Sequence, residues 1–225
     1  MRVLLFGATG MVGQGVLREC LLAPDVTEVV SLGRRATGTA HPKLREIVRP
    51  NLDDYAGLEA ELTGFDACFF CLGISSVGMA EPEYRRVTHD LTLAAARALA
   101  PLNPGMTFVY VTGSGTDSTE QGRIMWARVK GATENALRHL PFKAVFFFRP
   151  GIIQPLHGAQ PKVRWIQATY LLLGPFLGLA RLLLPRSVLT TEVIGQAMLN
   201  VARRGFPKPI LETADIDAAA RGAPA

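Results

Sequence analysis

The chain has 225 residues, 48% of them apolar and 19% charged, with 22 glycines and 15 prolines. This excludes a disordered segment, and the lack of a Gly-X-Y period excludes a collagen. The formal charge of +5 suits an anionic ligand, but no basic stripe with interleaved aromatics argues for nucleic acid.

Val3–Phe6 is a short apolar run ending at Gly7 and predicts a strand. Met11–Leu22 carries apolar residues at helical spacing, with Pro24 as its stop. Thr27–Leu32 and Leu44–Val48 read as two more strands, Asp54–Leu62 as a helix, and Ala67–Leu72 as a fourth strand. A long helix is expected over Glu81–Ala100, with Pro101 past its end. A strand over Thr107–Thr112, a helix over Arg123–Leu140 and a strand over Lys143–Phe148 follow. Strands alternating with helices predict an α/β fold: a Rossmann-like, doubly wound parallel sheet with helices on both faces. The unbroken apolar runs FVYV and AVFFF fit parallel strands buried on both sides. After Pro150 the pattern changes to a proline-punctuated stretch with no clear strand. A helix over Glu192–Arg204 and a strand over Pro209–Glu212 close the chain, and the Ala-rich residues 214–225 are expected to be a flexible tail. One domain over residues 1–225 is expected, with 151–213 forming the substrate region.

Three cysteines make no disulfide framework. Cys68 and Cys71 form a CxxC, but in a strand positions three apart point to opposite faces, so two separately buried thiols are expected rather than a redox or metal pair. Cys20 falls in the first helix and reads as core. His41, His89, His139 and His157 have no ligand spacing, so no metal is expected. No leader is read at the N-terminus, and the expected compartment is the cytoplasm, with reduced thiols. Residues 166–184 are almost wholly apolar but contain Gly174-Pro175 and Arg181. Two short helices, buried or docked on a surface, are expected there rather than a span, with a peripheral membrane contact as the alternative.

The chemistry begins with Gly7-Ala8-Thr9-Gly10-Met11-Val12-Gly13, which follows a strand and opens a helix. This is the setting of a dinucleotide-binding turn, in which the glycines allow the tight turn, the approach of a pyrophosphate and close helix packing. The helix N-terminus offers free N–H groups to phosphates. Arg34 and Arg35 follow the second strand, where an acid would hold the ribose 2′-hydroxyl of NAD; arginine suits a 2′-phosphate, so NADP is expected over NAD. The alternative is a solvated arginine pair. Leu52 and Asp53 follow the third strand and Cys71, Leu72 and Gly73 the fourth, at the strand ends where such a crevice opens. Asp53 is either an acceptor for the adenine amino group or a helix cap.

With Arg149-Pro150-Gly151 after the sixth strand and Trp126-Ala-Arg-Val-Lys130-Gly-Ala-Thr-Glu134, the sequence resembles the short-chain dehydrogenase/reductase superfamily over roughly residues 1–213, including Thr190-Thr191-Glu192. It is most similar to the atypical, epimerase-like NAD(P)-binding members related to the Tat-interacting protein. The resemblance implies a Tyr-x-x-x-Lys pair, whose tyrosine moves the substrate proton while the lysine holds the nicotinamide ribose, and a serine that polarises the carbonyl. Lys130 matches the lysine. Trp126 stands at the tyrosine position, and an indole N–H donates but does not ionise near neutrality. The serine position falls in Val111–Gly115, aligned best with Gly113, and Thr112 or Ser114 could serve instead. Thr112, Lys130, Pro150, Gly151 and Ile152 are expected cofactor contacts. The implied function is an NADP-dependent oxidoreductase or epimerase-like enzyme acting on a small molecule. A non-catalytic NADP(H)-sensing or interaction module is the alternative. Tyr84, Tyr170 and His157 are candidates for the missing acid, and Arg149 and Lys162 for binding an anionic substrate. By analogy with the superfamily, the helices over 81–100 and 123–140 could pair two copies.

Overall fold

The structure is a computed structural model that describes residues 1–159 and 188–222. The expectations for residues 166–184, Lys162 and Tyr170 lie outside the described residues.

The strands are β1 (Arg2–Phe6), β2 (Glu28–Gly33), β3 (Leu44–Val48), β4 (Ala67–Phe70), β5 (Thr107–Val111), β6 (Ala144–Arg149), β7 (Ile152–Gln154), β8 (Val188–Thr190) and β9 (Ile210–Glu212). The helices are α1 (Met11–Leu22), α2 (Glu81–Arg85), α3 (Leu91–Leu102), α4 (Met125–Leu137), α5 (Thr191–Arg204) and α6 (Thr213–Ala220). Seven strands form one parallel sheet in the order β3-β2-β1-β4-β5-β6-β9, the expected Rossmann-like arrangement. β1 lies inside it, with Leu4 opposite Val30 of β2 and Cys68 of β4.

Side-chain alternation divides the strands between two cores. Val3, Leu5, Phe69, Val109 and Phe148 pack with Val16 and Cys20 of α1 and Ile194 and Met198 of α5. Leu4, Phe6, Phe70, Phe108 and Tyr110 pack with Leu93 and Leu99 of α3 and Leu137 of α4. Phe70 stacks on Phe6 with ring centres 4.9 Å apart. Cys68 belongs to the second core and Cys71 packs against the first, so the CxxC thiols lie on opposite faces of the sheet.

Four segments differ from the sequence expectation. No helix forms over 54–62: Asn51 and Asp54 side chains capture the amides of Asp53 and Ala56, and Gly57 turns at φ 77°. The long helix runs from Glu81 to Leu102 and contains a π turn at Arg86–Asp90. Pro101 lies inside its last turn, and buried Asn103 closes it by donating to the Leu99 and Leu62 carbonyls. Beyond Pro150, β7 and β8 pair in parallel as a separate two-stranded sheet. The expected tail is helix α6 as far as Ala220. Glu212 and Asp215 close a capping box at its start, and Ile216 and Ala219 are buried.

Candidate functional site

The strand order reverses between β1 and β4, and in open α/β sheets the ligand crevice opens at the carboxyl ends of the strands at that point. A cleft of about 810 Å³ lies there. Gly7, Ala8, Thr9, Gly10, Met11 and Val12 line it, with Arg34 and Arg35 from the end of β2 and Cys71, Leu72 and Gly73 from the end of β4. Thr112, Gly113 and Ser114 follow β5, Lys130 comes from α4, and Pro150 and Gly151 follow β6.

The glycine turn is fixed by contact. Gly7 has φ 79°, and a Cβ there would sit 2.6 Å from the Cys71 carbonyl carbon. A Cβ on Gly13 would sit 2.0 Å from the Gly7 oxygen, so Gly13 is buried behind the turn rather than in the cleft. The Gly10 amide donates to the Gly7 carbonyl at 2.8 Å. Gly10 also caps α1, with no side chain bonded to the cap and no acid in the first turn. The helix start is therefore shaped and charged for an anion.

Lys130 is part-buried, and its Nζ donates to the Thr112 carbonyl at 2.6 Å. Burial lowers the Lys130 ammonium to about 8, with Glu134 acting in the opposite direction. Trp126 stands one helical turn earlier, with its ring edge against Gly113 and Gly115. A Cβ on Gly113 would be 3.9 Å from that ring and 4.0 Å from Lys130 Nζ. The Thr112 hydroxyl is committed to the buried Glu134 carboxylate at 2.8 Å. Ser114 is exposed in the cleft and its amide donates to the Pro150 carbonyl.

Several expected residues are elsewhere. Leu52 is in the second core. Asp53 is exposed and borders a separate depression with Tyr55 and Ala56, and no helix follows it to be capped. Ile152 is exposed beside the cleft, and its neighbour Ile153 lines it. Trp126 borders Gly113 without lining the cleft. Arg149 is 8% exposed and held by Glu134, Ser118 and Glu212, so it is a structural ion pair and not a substrate anchor. Tyr84 is 2% exposed, and burial raises its phenol. It is enclosed in the helix packing, away from the cleft. His157 lies 2.6 Å from the Glu192 carboxylate and lines a different depression, with Arg18 and His41. Sequence reasoning missed Ser31, Ile74, Ser75 and Ile153. Ser31 alone carried a signal, as the polar residue inside the apolar run of β2. Among the described residues no three His, Cys, Asp or Glu side chains gather as metal ligands, and no helix is long and apolar enough to cross a membrane.

No known family profile matches the chain. It is 29% identical over 211 residues to "Protein fmp52-1, mitochondrial" of Aspergillus terreus, a match covering 91% of this chain and 88% of that one. It is 31% identical over 158 residues to "Protein fmp52, mitochondrial" of Emericella nidulans, covering 67% and 66%. Among solved structures it superposes on Bordetella bronchiseptica WbmF, crystallised with NAD+, with a TM-score of 0.69 at 18% identity, over 96% of this chain and 76% of that one. A short-chain dehydrogenase/reductase family oxidoreductase of Burkholderia thailandensis gives 0.70 at 16% identity, over 97% and 92%. These matches place the fold. The expected cytoplasmic compartment is overturned, because the curated relatives carry mitochondrial names.

Proposed function

We propose that this chain, an atypical member of the short-chain dehydrogenase/reductase superfamily, is an oxidoreductase or epimerase-like enzyme. It works with NADP(H) on a small molecule and carries Trp126 where the superfamily carries its tyrosine. The observation that carries the reading is the meeting of the Gly7–Gly13 turn, Arg34 and Lys130 in one cleft at the switch point of the sheet. WbmF, whose fold this chain shares, was crystallised with NAD+, which supports a nicotinamide cofactor.

The residues fit such a group. A Cβ on Gly10 would meet only the Gly7 oxygen, at 3.3 Å, so the backbone there is open to close approach. The first turn of α1 would hold the pyrophosphate. Arg34 and Arg35 are both exposed at the end of β2 and would hold a 2′-phosphate through charge-assisted bonds. Lys130, tied to the Thr112 carbonyl, would hold the nicotinamide ribose. Residues 151–213 supply the substrate side, through Gly151 and Ile153 in the cleft wall. When bound, the cofactor gives or takes a hydride.

A second reading rests on one observation: Tyr55, Tyr84 and Tyr110 all lie outside the cleft lining. On that reading the chain senses NADP(H) and passes the signal to a protein or membrane partner, whose affinity must then change with cofactor.

Calorimetric titration of the purified protein with NADPH and with NADH tests the proposal. Tight NADPH binding with weak NADH binding is expected. Equal binding would remove the arginine assignment, and no binding of either would remove the enzyme. NADPH consumption with a panel of carbonyl and quinone substrates separates the enzyme from the sensor.

A further inference from the structure

We infer that Lys130 Nζ itself gives the substrate oxygen its proton during reduction and takes it back during oxidation, replacing the missing tyrosine rather than assisting one. This rests on the cofactor-dependent reading above.

The inference follows from which cleft groups can move a proton. Among the described residues that line the cleft, the ionisable side chains are Arg34, Arg35, Cys71 and Lys130. Guanidinium groups do not release a proton in proteins. Burial pushes the Cys71 thiol well up, so it stays S–H. Serine and threonine hydroxyls need a neighbouring base to act. The described tyrosines are buried at 8% exposure or less, and none lines the cleft. Among the described residues that line the cleft, Lys130 is what remains.

Its placement suits the task. The bond to the Thr112 carbonyl uses one of three ammonium hydrogens and leaves two for ligands. Gly113, the position aligned best with the superfamily's serine, has no side chain to stand between Nζ and the Trp126 ring; a Cβ there would lie 4.0 Å from the one and 3.9 Å from the other. Glu134, one turn along α4, is the carboxylate that faces Lys130, and Arg149 of β6 and the Thr112 hydroxyl engage it. Cys71 and the two arginines share the cleft from the ends of β4 and β2. Burial places the ammonium at about 8, close to the pH at which a proton donor is most effective.

In the proton half of the reaction, an N–H bond of the ammonium breaks and its electron pair stays on Nζ. The O–H bond of the product alcohol forms, and the neutral amine recovers a proton from water. The hydride half is the cofactor's.

Two measurements test this. First, the native protein is treated with acetic anhydride across neutral to alkaline pH, and acetylation of the Lys130 peptide is followed by mass spectrometry. A midpoint near 8 is expected, whereas a midpoint at the ordinary lysine value of about 10.4 overturns the inference. Second, K130R is compared with native protein for NADPH binding by calorimetry and for NADPH-dependent reduction of phenanthrenequinone. The arginine keeps the charge but releases no proton, so turnover at saturating NADPH should fall by about a hundredfold or more, whatever change in affinity the calorimetry records. Native turnover should itself fall as pH rises through about 8. A K130R protein as active as native overturns the inference, as does a native protein that binds NADPH yet reduces no carbonyl or quinone. Failure of the native protein to bind NADPH instead removes the functional reading, and the acetylation midpoint is read independently of it.

Discussion

Arg149 at the end of β6 grips both carboxylate oxygens of Glu134, a residue of α4 with no solvent exposure, its Nε reaching Oε1 at 3.1 Å. Removing either partner leaves the other buried charge without its main counter-ion; for Arg149 only the half-exposed Glu212, at 3.5 Å, remains. R149M or E134A should each cost roughly 3–5 kcal/mol, and the double variant less than their sum. Urea unfolding midpoints of the three proteins check this. Glu134 also raises Lys130, so E134Q should shift the acetylation midpoint of Lys130 downward.

Trp126 supplies an indole edge beside Gly113, at the margin of the cleft rather than in its lining. Trp126→Tyr should raise phenanthrenequinone turnover by about tenfold or more, because a general acid is worth 10²–10⁴ and Lys130 already provides part of it. NADPH affinity should be unchanged. A variant no faster than native would show that this position does not face the reacting oxygen.

Arg34 is exposed at the rim of the cleft. R34A should weaken NADPH binding by roughly tenfold or more, since a charge-assisted bond contributes about 1.5–3 kcal/mol, and leave NADH binding within twofold. Parallel calorimetric titrations give both numbers.

Acid should unfold the protein through its paired surface carboxylates. Hydrogen bonds from Arg203 hold Asp25 below its ordinary 3.8. Burial pushes Glu28 up, but the bonds from Arg2 and Arg45 together win and lower it from 4.5. Both folded values lie below the unfolded ones. The stabilisation is therefore fully present above about pH 4.5 and is lost as pH falls through the lowered values. Both sites are partly solvated, so each contributes about 1 kcal/mol or less. Melting temperatures between neutral pH and pH 3 should fall less steeply in D25N than in the native protein.

The glycine turn and the strand ends around it were readable because they are local: an apolar run, three glycines and a helical period sit within one βαβ unit. Arg149 was not, because Glu134, which claims it, is a tertiary neighbour whose charge looks solvated on a helical wheel. Asp53 was misplaced because the Asn51 and Asp54 side chains outcompete the helix expected after it. The helix at 213–220 was hidden by its composition. Its signal, an acid at Glu212 and another three residues on at Asp215, was in the sequence and outweighed by the alanines.

The pairing of Ile152–Gln154 with Val188–Thr190 couples the cleft wall to helix α5. Ile153 lines the cleft and pairs with Leu189, and the next residue, Thr190, caps α5 by accepting from the Val193 amide. Because paired strands are held about 4.8 Å apart, a displacement of α5 is carried across one row of backbone hydrogen bonds into the wall that faces the ligand, as a lever carries motion across its pivot.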